Sequence, residues 1–311
     1  MNGFICLDIG GTNIRAAFFP LEGIKPVKHL RINTIGDGQK VENRVADLIT
    51  AIWPTTGEIR AIAAAAPGYV DSRNGMVISA VNIPGWTNLP LQELLSNQFN
   101  LPVFIENDAR LAALGEWRYG SARGYHDVLY LTISTGIGGG VIINDKVLSG
   151  SQGMATEMGH VTILPEGPLC SCGHHGHLEA LASGPAIARY VREQLENGVK
   201  SILTNDSTIT SKEIASAAHK GDKLAKAAFN RAGEYLGIAI SNYIHIFNPT
   251  CVVLGGGVSL TGELLLRPVR SAIQKYILNK EYLDQLTLVM AKLGDDAGLI
   301  GALSFIKENL P

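Results

Sequence analysis

Apolar residues along this chain fall into short unbroken runs that alternate with stretches of helical period, from one end to the other. The first run, Phe4-Ile-Cys-Leu-Asp-Ile-Gly-Gly-Thr-Asn-Ile-Arg-Ala-Ala-Phe18, reads as strand, glycine turn, strand. Residues 41–53 carry apolar side chains at helical spacing, 59–66 form a buried strand closed by Pro67-Gly68, and 91–99 read as helix. A short strand follows at 103–106 and a helix at 109–118. The opening layout then returns as Val128-Leu-Tyr-Leu-Thr-Ile-Ser-Thr-Gly-Ile-Gly-Gly-Gly-Val-Ile-Ile143. Residues 150–176 are irregular and rich in Gly, Pro, His and Cys, and 222–248 read as a long buried helix stopped before Pro249. A strand at 251–254 runs into the third glycine turn, Leu254-Gly-Gly-Gly-Val258; a strand at 287–293 and a helix at 297–310 complete the chain. Alternation of this kind is the signature of an α/β protein, and the repeated hairpin predicts a duplicated architecture with one glycine turn from each half.

At 311 residues the chain exceeds the size of one growing core, so two lobes are expected, with the boundary at 118–125 where Gly120 and Gly124 flank a polar stretch. A 46% apolar, 17% charged composition with net charge −2 gives no global attraction to nucleic acid or to an anionic membrane. No run reaches the roughly 18 apolar residues of a membrane span. The four cysteines, Cys6, Cys170, Cys172 and Cys251, do not form a disulfide framework, and the first strand leaves no room for a signal peptide, so a cytoplasmic protein is expected.

Glycine turns let the backbone approach a ligand and point successive N–H groups at an oxyanion. Two such turns, with a third behind them, therefore point to a nucleotide between the lobes. Asp8, at the end of a strand beside Gly10-Gly11-Thr12, can hold Mg²⁺ through oxygen, or can simply bond its own turn. Glu106-Asn107-Asp108-Ala109 opens a helix, which gives Asp108 two readings. It is either a helix N-cap or a base that takes a proton from a substrate hydroxyl while Asn107 bonds a neighbouring one. Asn82-Ile-Pro-Gly-Trp86, with a polar head and an aromatic end, suggests one wall of a carbohydrate site. His160 and Cys170-Ser-Cys-Gly-His-His-Gly-His177, within eighteen residues, can supply four ligands to a tetrahedral Zn²⁺ of structural type.

Taken together these motifs resemble the ROK family of sugar kinases, within the actin-like ATPase superfamily. The resemblance rests on the ordered set: the Asp8 to Thr12 turn, Glu-Asn-Asp-Ala, Ser134 to Gly140, Glu157-x-Gly-His160, Cys-x-Cys-Gly-x-x-Gly-x-x-Glu179 and Gly255-Gly256-Gly257. It implies a two-lobed, ribonuclease-H-like α/β fold with a duplicated mixed sheet and a cleft between lobes. The smaller lobe would comprise 1–118 plus 297–311, and the larger, 119–296, would carry the zinc loop. It implies that a sugar hydroxyl attacks the γ-phosphate of ATP in the presence of Mg²⁺. Asp108 would be the base, and Asn82, Asn107, Asp108, Glu157, His160 and Glu179 the sugar contacts. Asp8, Gly10, Gly11, Thr12, Thr135 and Gly136 would face the phosphates and metal, and Gly256 and Gly257 the nucleoside.

The family's usual zinc set is one His and three Cys, and the third Cys falls where this chain has His177. The expected set is therefore His160, Cys170, Cys172 and His177, with His174 or His175 as alternatives for the fourth ligand. The Asn-x-Pro-Gly-Trp loop and Glu157 resemble the glucokinases of the family more than its N-acetylmannosamine kinases. The expected reaction is glucose to glucose 6-phosphate, with N-acetylmannosamine, N-acetylglucosamine and other hexoses as alternative acceptors and a non-catalytic sugar sensor as the alternative role. The family also contains sugar-responsive repressors; only seven residues precede Asp8 here, with no basic reading head, so nucleic acid is not an expected partner. A homodimer or higher homo-oligomer is the expected assembly.

Overall fold

The computed structural model describes residues 1–36 and 38–310. In chain order it contains β1 (Gly3–Ile9), β2 (Asn13–Pro20), β3 (Lys28–Asn33), α1 (Val41–Ile52), β4 (Ile59–Ala66), β5 (Tyr69–Asp71), β6 (Met76–Ser79), β7 (Thr87–Leu89), α2 (Leu91–Phe99), β8 (Val103–Asn107) and α3 (Asp108–Tyr119). The second half contains β9 (Val128–Ile133), β10 (Ile137–Ile143), β11 (Lys146–Val147), α4 (Leu178–Ala182), α5 (Gly184–Glu196), α6 (Ser211–His219), α7 (Lys223–Phe247), β12 (Cys251–Gly255), α8 (Glu263–Tyr276), β13 (Thr287–Met290) and α9 (Ala297–Asn309).

The strands form two five-stranded sheets of identical plan, β3-β2-β1-β4-β8 and β11-β10-β9-β12-β13, plus a small antiparallel sheet β5-β6-β7. In each large sheet the first three strands pair antiparallel, and the next two join parallel to the first strand of the hairpin. The duplicated, mixed-sheet α/β architecture is thus realised strand for strand. Ligands of such sheets bind outside the carboxyl ends of the parallel strands. Those ends carry Asp8 on β1, Asn107 on β8 and the Gly255-Gly256 turn after β12.

Two helices fill the space between the sheets. α9 lies on β1 and β4, α3 lies on β9 and β10, and the two helices pack against each other. Small residues make that crossing possible: a Cβ on Gly301 would stand 1.8 Å from the Leu111 carbonyl oxygen, and one on Gly115 would stand 2.6 Å from that of Ala297. Leu111, Leu114, Trp117, Leu299, Leu303 and Ile306 bury their side chains in this layer against Phe4, Cys6, Tyr130 and Val253. Burial pushes the Cys6 thiol far above its ordinary range, so it behaves as a small apolar group.

Glu116, fully buried at the end of α3, accepts from Ser121 N–H at 2.8 Å and from Leu293 N–H at 2.6 Å. This one carboxylate thus ties the segment that follows α3 to the segment that follows β13.

The long helix α7 starts where Asp222 accepts the Ala225 N–H at 2.8 Å and stops where Asn248 turns left-handed (φ 46°) ahead of Pro249. Elements that the apolar pattern does not reveal are β3, β5 to β7, β11, α4 to α6 and α8. The small sheet has strands of three or four half-exposed residues, too short to show a period. α8 carries Pro268 in its interior and survives by burying Leu265, Leu266, Val269 and Ile273 against α7.

Candidate active site

A cleft of about 900 Å³ opens between the halves. It is lined by Gly10, Gly11, Asn82, Asn107 and Asp108 from the first half, and by Thr135, Gly136, Glu157, His160, Cys170, Cys172 and Glu179 from the second. Residues up to 179 positions apart in the chain, Gly10 and Arg189, are therefore brought to one surface.

Asp108 occupies the first turn of α3, but it is not the cap. Asn107 is: its Oδ1 accepts the N–H groups of Ala109 at 3.0 Å and Arg110 at 3.1 Å, while its Nδ2 donates to the Gly68 carbonyl at 3.0 Å. One Nδ2 hydrogen is left for a ligand. Asp108 Oδ1 accepts the Ala109 N–H at 2.7 Å, leaving the other carboxylate oxygen to the cleft. Burial, reinforced by the neighbouring Asp8 charge, raises the Asp108 carboxyl to about 7.

Asp8 lies under the first glycine turn, outside the lining of the cleft, with its carboxylate against Gly298 at the start of α9. It is ion-paired with Arg15; burial nonetheless holds its carboxyl above the ordinary value. The turn itself is closed by Gly10 N–H to Asn13 carbonyl (2.9 Å) and by the Thr34 hydroxyl to Gly10 carbonyl (2.5 Å). Gly11 packs directly on Asn82, so the expected phosphate turn and sugar loop form one wall. Thr12 lies outside the lining.

In the second turn Ser134 N–H donates to the Gly136 carbonyl at 2.8 Å. Glu179 joins this turn to the cysteine loop: Oε2 accepts the Ile137 N–H at 3.0 Å and Oε1 accepts the Ser171 hydroxyl at 2.8 Å. Glu157 precedes a single 3₁₀ turn, Met158–His160, anchored by the Tyr243 hydroxyl donating to the Met158 carbonyl. Burial raises the Glu157 carboxyl to about 7; Arg110 opposes the rise, and Asp108 and Glu179 add to it. The residue before it, Thr156, sits at φ 71°, a strained conformation for a β-branched residue.

Three sequence expectations are corrected or narrowed here. Trp86 is only 1% exposed and packs in the first-half core, with Nε1 donating to Glu42 at 3.3 Å, so it is not a sugar-binding wall. Gly138 and Gly140 belong to β10, not the turn, and their missing side chains admit Ala109 and Ala113 of α3. Gly256 packs on the Ile133 backbone and Gly257 faces open space; neither lines the cleft.

The side chains of His160, Cys170, Cys172 and His177 bring four ligand atoms within 4.8 Å of one another, among the described residues the one such group. Cys172 Sγ lies 3.2 Å from His177 Nδ1, and Cys170 Sγ lies 3.7 Å from His160 Nδ1. A tetrahedral metal with bonds of about 2.0–2.3 Å has ligand-to-ligand edges of about 3.3–3.8 Å; these two pairs lie near that range, and the whole set, spread over up to 4.8 Å, would have to draw in slightly to hold one ion. His175 instead points Nδ1 at the Gly167 carbonyl (3.0 Å), and His174 Nδ1 stands 3.9 Å from Cys172 Sγ. His177 lies behind the cleft wall, whereas His160 faces both the cluster and the cleft.

The profile of the ROK family matches residues 4–309. This chain belongs to the ROK family. The glucokinase of Thermotoga maritima is 36% identical over 98% of this ROK chain and 98% of its own length. A ROK family glucokinase from Streptomyces griseus, in complex with glucose and AMPPNP, superposes with a TM-score of 0.84 at 32% identity, covering 99% of this chain and 100% of that one. The xylose repressor of Bacillus spizizenii is 30% identical over 98% of this chain and 77% of the repressor. The family thus joins kinases and regulators on one scaffold, and the fold of this member is that of the ROK sugar kinases.

Sequence reasoning missed Arg110. It is 1% exposed, lies 2.9 Å from Glu106 as an i,i+4 pair, and donates to the carbonyls of Val70 and Gly153. The Glu-x-x-x-Arg spacing was a visible signal, but the two carbonyls it reaches are 40 and 43 residues away.

Proposed function

We infer that this ROK protein is an ATP-dependent sugar kinase that phosphorylates the 6-hydroxyl of a hexose, with glucose the preferred acceptor. The observation that carries this reading is the meeting in one cleft of Asp108, an uncapped carboxylate, with two glycine turns and the polar set Asn82, Asn107, Glu157, His160 and Glu179. The full-length likeness to glucokinases, one of them bound to glucose and an ATP analogue, supports the same substrate pair. In the proposed reaction the 6-hydroxyl proton passes to the free oxygen of Asp108. The sugar oxygen forms the new bond to the γ-phosphorus, and the bond to the ADP oxygen breaks. Phosphoryl transfer needs chiefly positioning and charge neutralisation beside such a base. The turns at Gly10-Gly11 and Thr135-Gly136, which line the cleft, would receive the phosphates.

Asp8, a carboxylate at a strand end beside the first turn, outside the cleft lining and paired with Arg15, is proposed to hold Mg²⁺ directly or through water. Bound Mg²⁺ would neutralise charge on the β- and γ-phosphoryl oxygens. His160, Cys170, Cys172 and His177 are proposed as a structural Zn²⁺ set: four protein donors leave no open position for chemistry, and the loop between them has little regular structure of its own. A homodimer in the cytoplasm completes the proposal; the four free cysteines suit a reducing compartment.

Initial rates with MgATP across glucose, mannose, fructose, N-acetylglucosamine and N-acetylmannosamine test the acceptor. Glucose should show the highest kcat/KM; a clear preference for an N-acetylhexosamine would replace glucose in this reading. The same assay across pH should show activity rising with pH through about 7, as Asp108 loses its proton. A rate independent of pH between 5.5 and 8 would remove Asp108 as the base.

We also propose that residues 1–118 with 297–311 and residues 119–296 act as two lobes that close on sugar. Sugar contacts are expected from both, and a ligand that touches both favours the closed form by its differential affinity. Small-angle scattering should show a smaller radius of gyration with glucose. An unchanged profile at saturating glucose would contradict lobe closure.

A further inference from the structure

We propose that Arg110 is a positioning residue that clamps the Glu157-bearing loop of the second half onto the first half, and so holds one wall of the sugar site in register with Asp108. Its effect on turnover rests on the sugar-kinase reading above; its effect on the loop rests on geometry alone.

Arg110 stands in the first turn of α3, two residues after Asp108, and its side chain is enclosed on all sides. One guanidinium gathers three separate segments. Nη2 pairs with Glu106 Oε1 at the end of β8 (2.9 Å) and donates to the Val70 carbonyl on β5 (3.4 Å); Nη1 donates to the Gly153 carbonyl. Val70 and Glu106 belong to the first half, and Gly153 belongs to the second. From Gly153 the chain runs three residues to Thr156, in its strained left-handed conformation, and then to Glu157.

Neighbouring contacts place the same loop on the same surface. Gly153 packs on Ser72, and exposed Arg73 donates to the Gly150 carbonyl at 3.0 Å. Glu106 is held in turn by the Asn107 N–H at 2.6 Å, so the clamp is fixed to the residue that caps α3. The Arg110 charge lies close enough to both Asp108 and Glu157 to oppose the rise that burial imposes on their carboxyls.

The residue type matters. A guanidinium presents five donors in a rigid planar fork, which suits acceptors in three directions; an ammonium is a point charge on a flexible stem. Nε alone has no protein partner. The fork is thus held through its two outer nitrogens, Nη2 on the first half and Nη1 on the second.

The test compares the unmodified protein with Arg110→Lys and with the double variant Glu106→Gln/Arg110→Met. The double variant removes both charges together, so no unpaired buried carboxylate is left to unfold the chain. Hydrogen exchange of the amides in residues 149–157 should accelerate by about tenfold or more in both variants, because the loop loses its tie to the core. Glucose KM should rise and kcat fall, each by about tenfold or more, since small misplacement of positioning groups is costly, with KM for ATP unchanged. Arg110→Lys keeps the charge and should not rescue.

Unchanged exchange in both variants would overturn the clamp, whatever the activity of the unmodified protein. Faster exchange with unchanged glucose KM and kcat would overturn the positioning role. Full recovery by lysine would show that charge, not the fork, is what the site needs, and would equally overturn the proposal. Should the unmodified protein make no sugar phosphate, the kinase reading fails while the exchange result still decides the clamp.

Discussion

Asp108→Asn should lower kcat by at least about 10²–10⁴-fold, the usual worth of a positioned base, while glucose still binds. Asn keeps the size of the side chain and can accept the Ala109 N–H in place of Asp108 Oδ1, but it cannot take the hydroxyl proton. Because Asn107 rather than Asp108 caps α3, the substitution leaves the helix start intact.

Stability should move the other way. The Asp108 carboxyl is raised from 3.8 to about 7 in the folded protein, so between those values the unfolded chain releases its proton while the folded chain keeps it. Folding stability therefore falls as pH rises through that window. Above it, each pKa unit corresponds to about 1.4 kcal/mol, for a total penalty of up to about 4 kcal/mol. Asp108→Asn should thus raise the melting temperature at pH 8 and leave it nearly unchanged at pH 4. A variant with near-normal kcat, as measured beside glucose affinity by calorimetry, would remove Asp108 from the chemistry.

Removing the metal should cost both fold and substrate affinity. The unmodified protein, purified without chelator, should contain one Zn²⁺ per chain. Stripping it should lower the melting temperature by at least about 5 °C, and should raise glucose KM by about tenfold or more. The coupling has a physical route. His160 faces both the metal cluster and the cleft, and Glu179, a proposed sugar contact, is held by Ser171 between the two cysteines. His177→Cys should retain zinc, since a thiolate is an equally competent donor, and His177→Ala should weaken it, with His174 the nearest substitute. Protein without stoichiometric zinc would contradict the site, and full occupancy in His177→Ala would move the fourth ligand elsewhere.

The sequence made the repeated plan legible because central strands buried on both faces read as continuous apolar runs. β1, β4, β9 and β12 each do so, and their predicted and observed bounds agree closely. The cluster of His160, Cys170, Cys172 and His177 was legible because its members are local, all within eighteen residues of chain. The small sheet β5 to β7 was not, since its short, half-exposed strands carry no period. Trp86 misled because an aromatic beside a polar turn looks the same whether it faces a ligand or a core. Gly138 and Gly140 misled for a related reason: glycine next to a turn serves close helix packing as readily as phosphate. Asp108 was ambiguous until the hydrogen bonds of Asn107 assigned the cap. The Arg110 clamp needs Val70 and Gly153 brought together from distant parts of the chain, and no local pattern encodes that meeting.

The most direct measurement follows phosphorus from donor to acceptor. With glucose, ATP and Mg²⁺, ³¹P NMR should show the γ-phosphate signal replaced by a sugar 6-phosphate, one for each ADP, in the unmodified protein and not in Asp108→Asn. ADP accompanied only by inorganic phosphate, or no turnover with any hexose or N-acetylhexosamine, would contradict the assignment of this cleft to sugar phosphorylation.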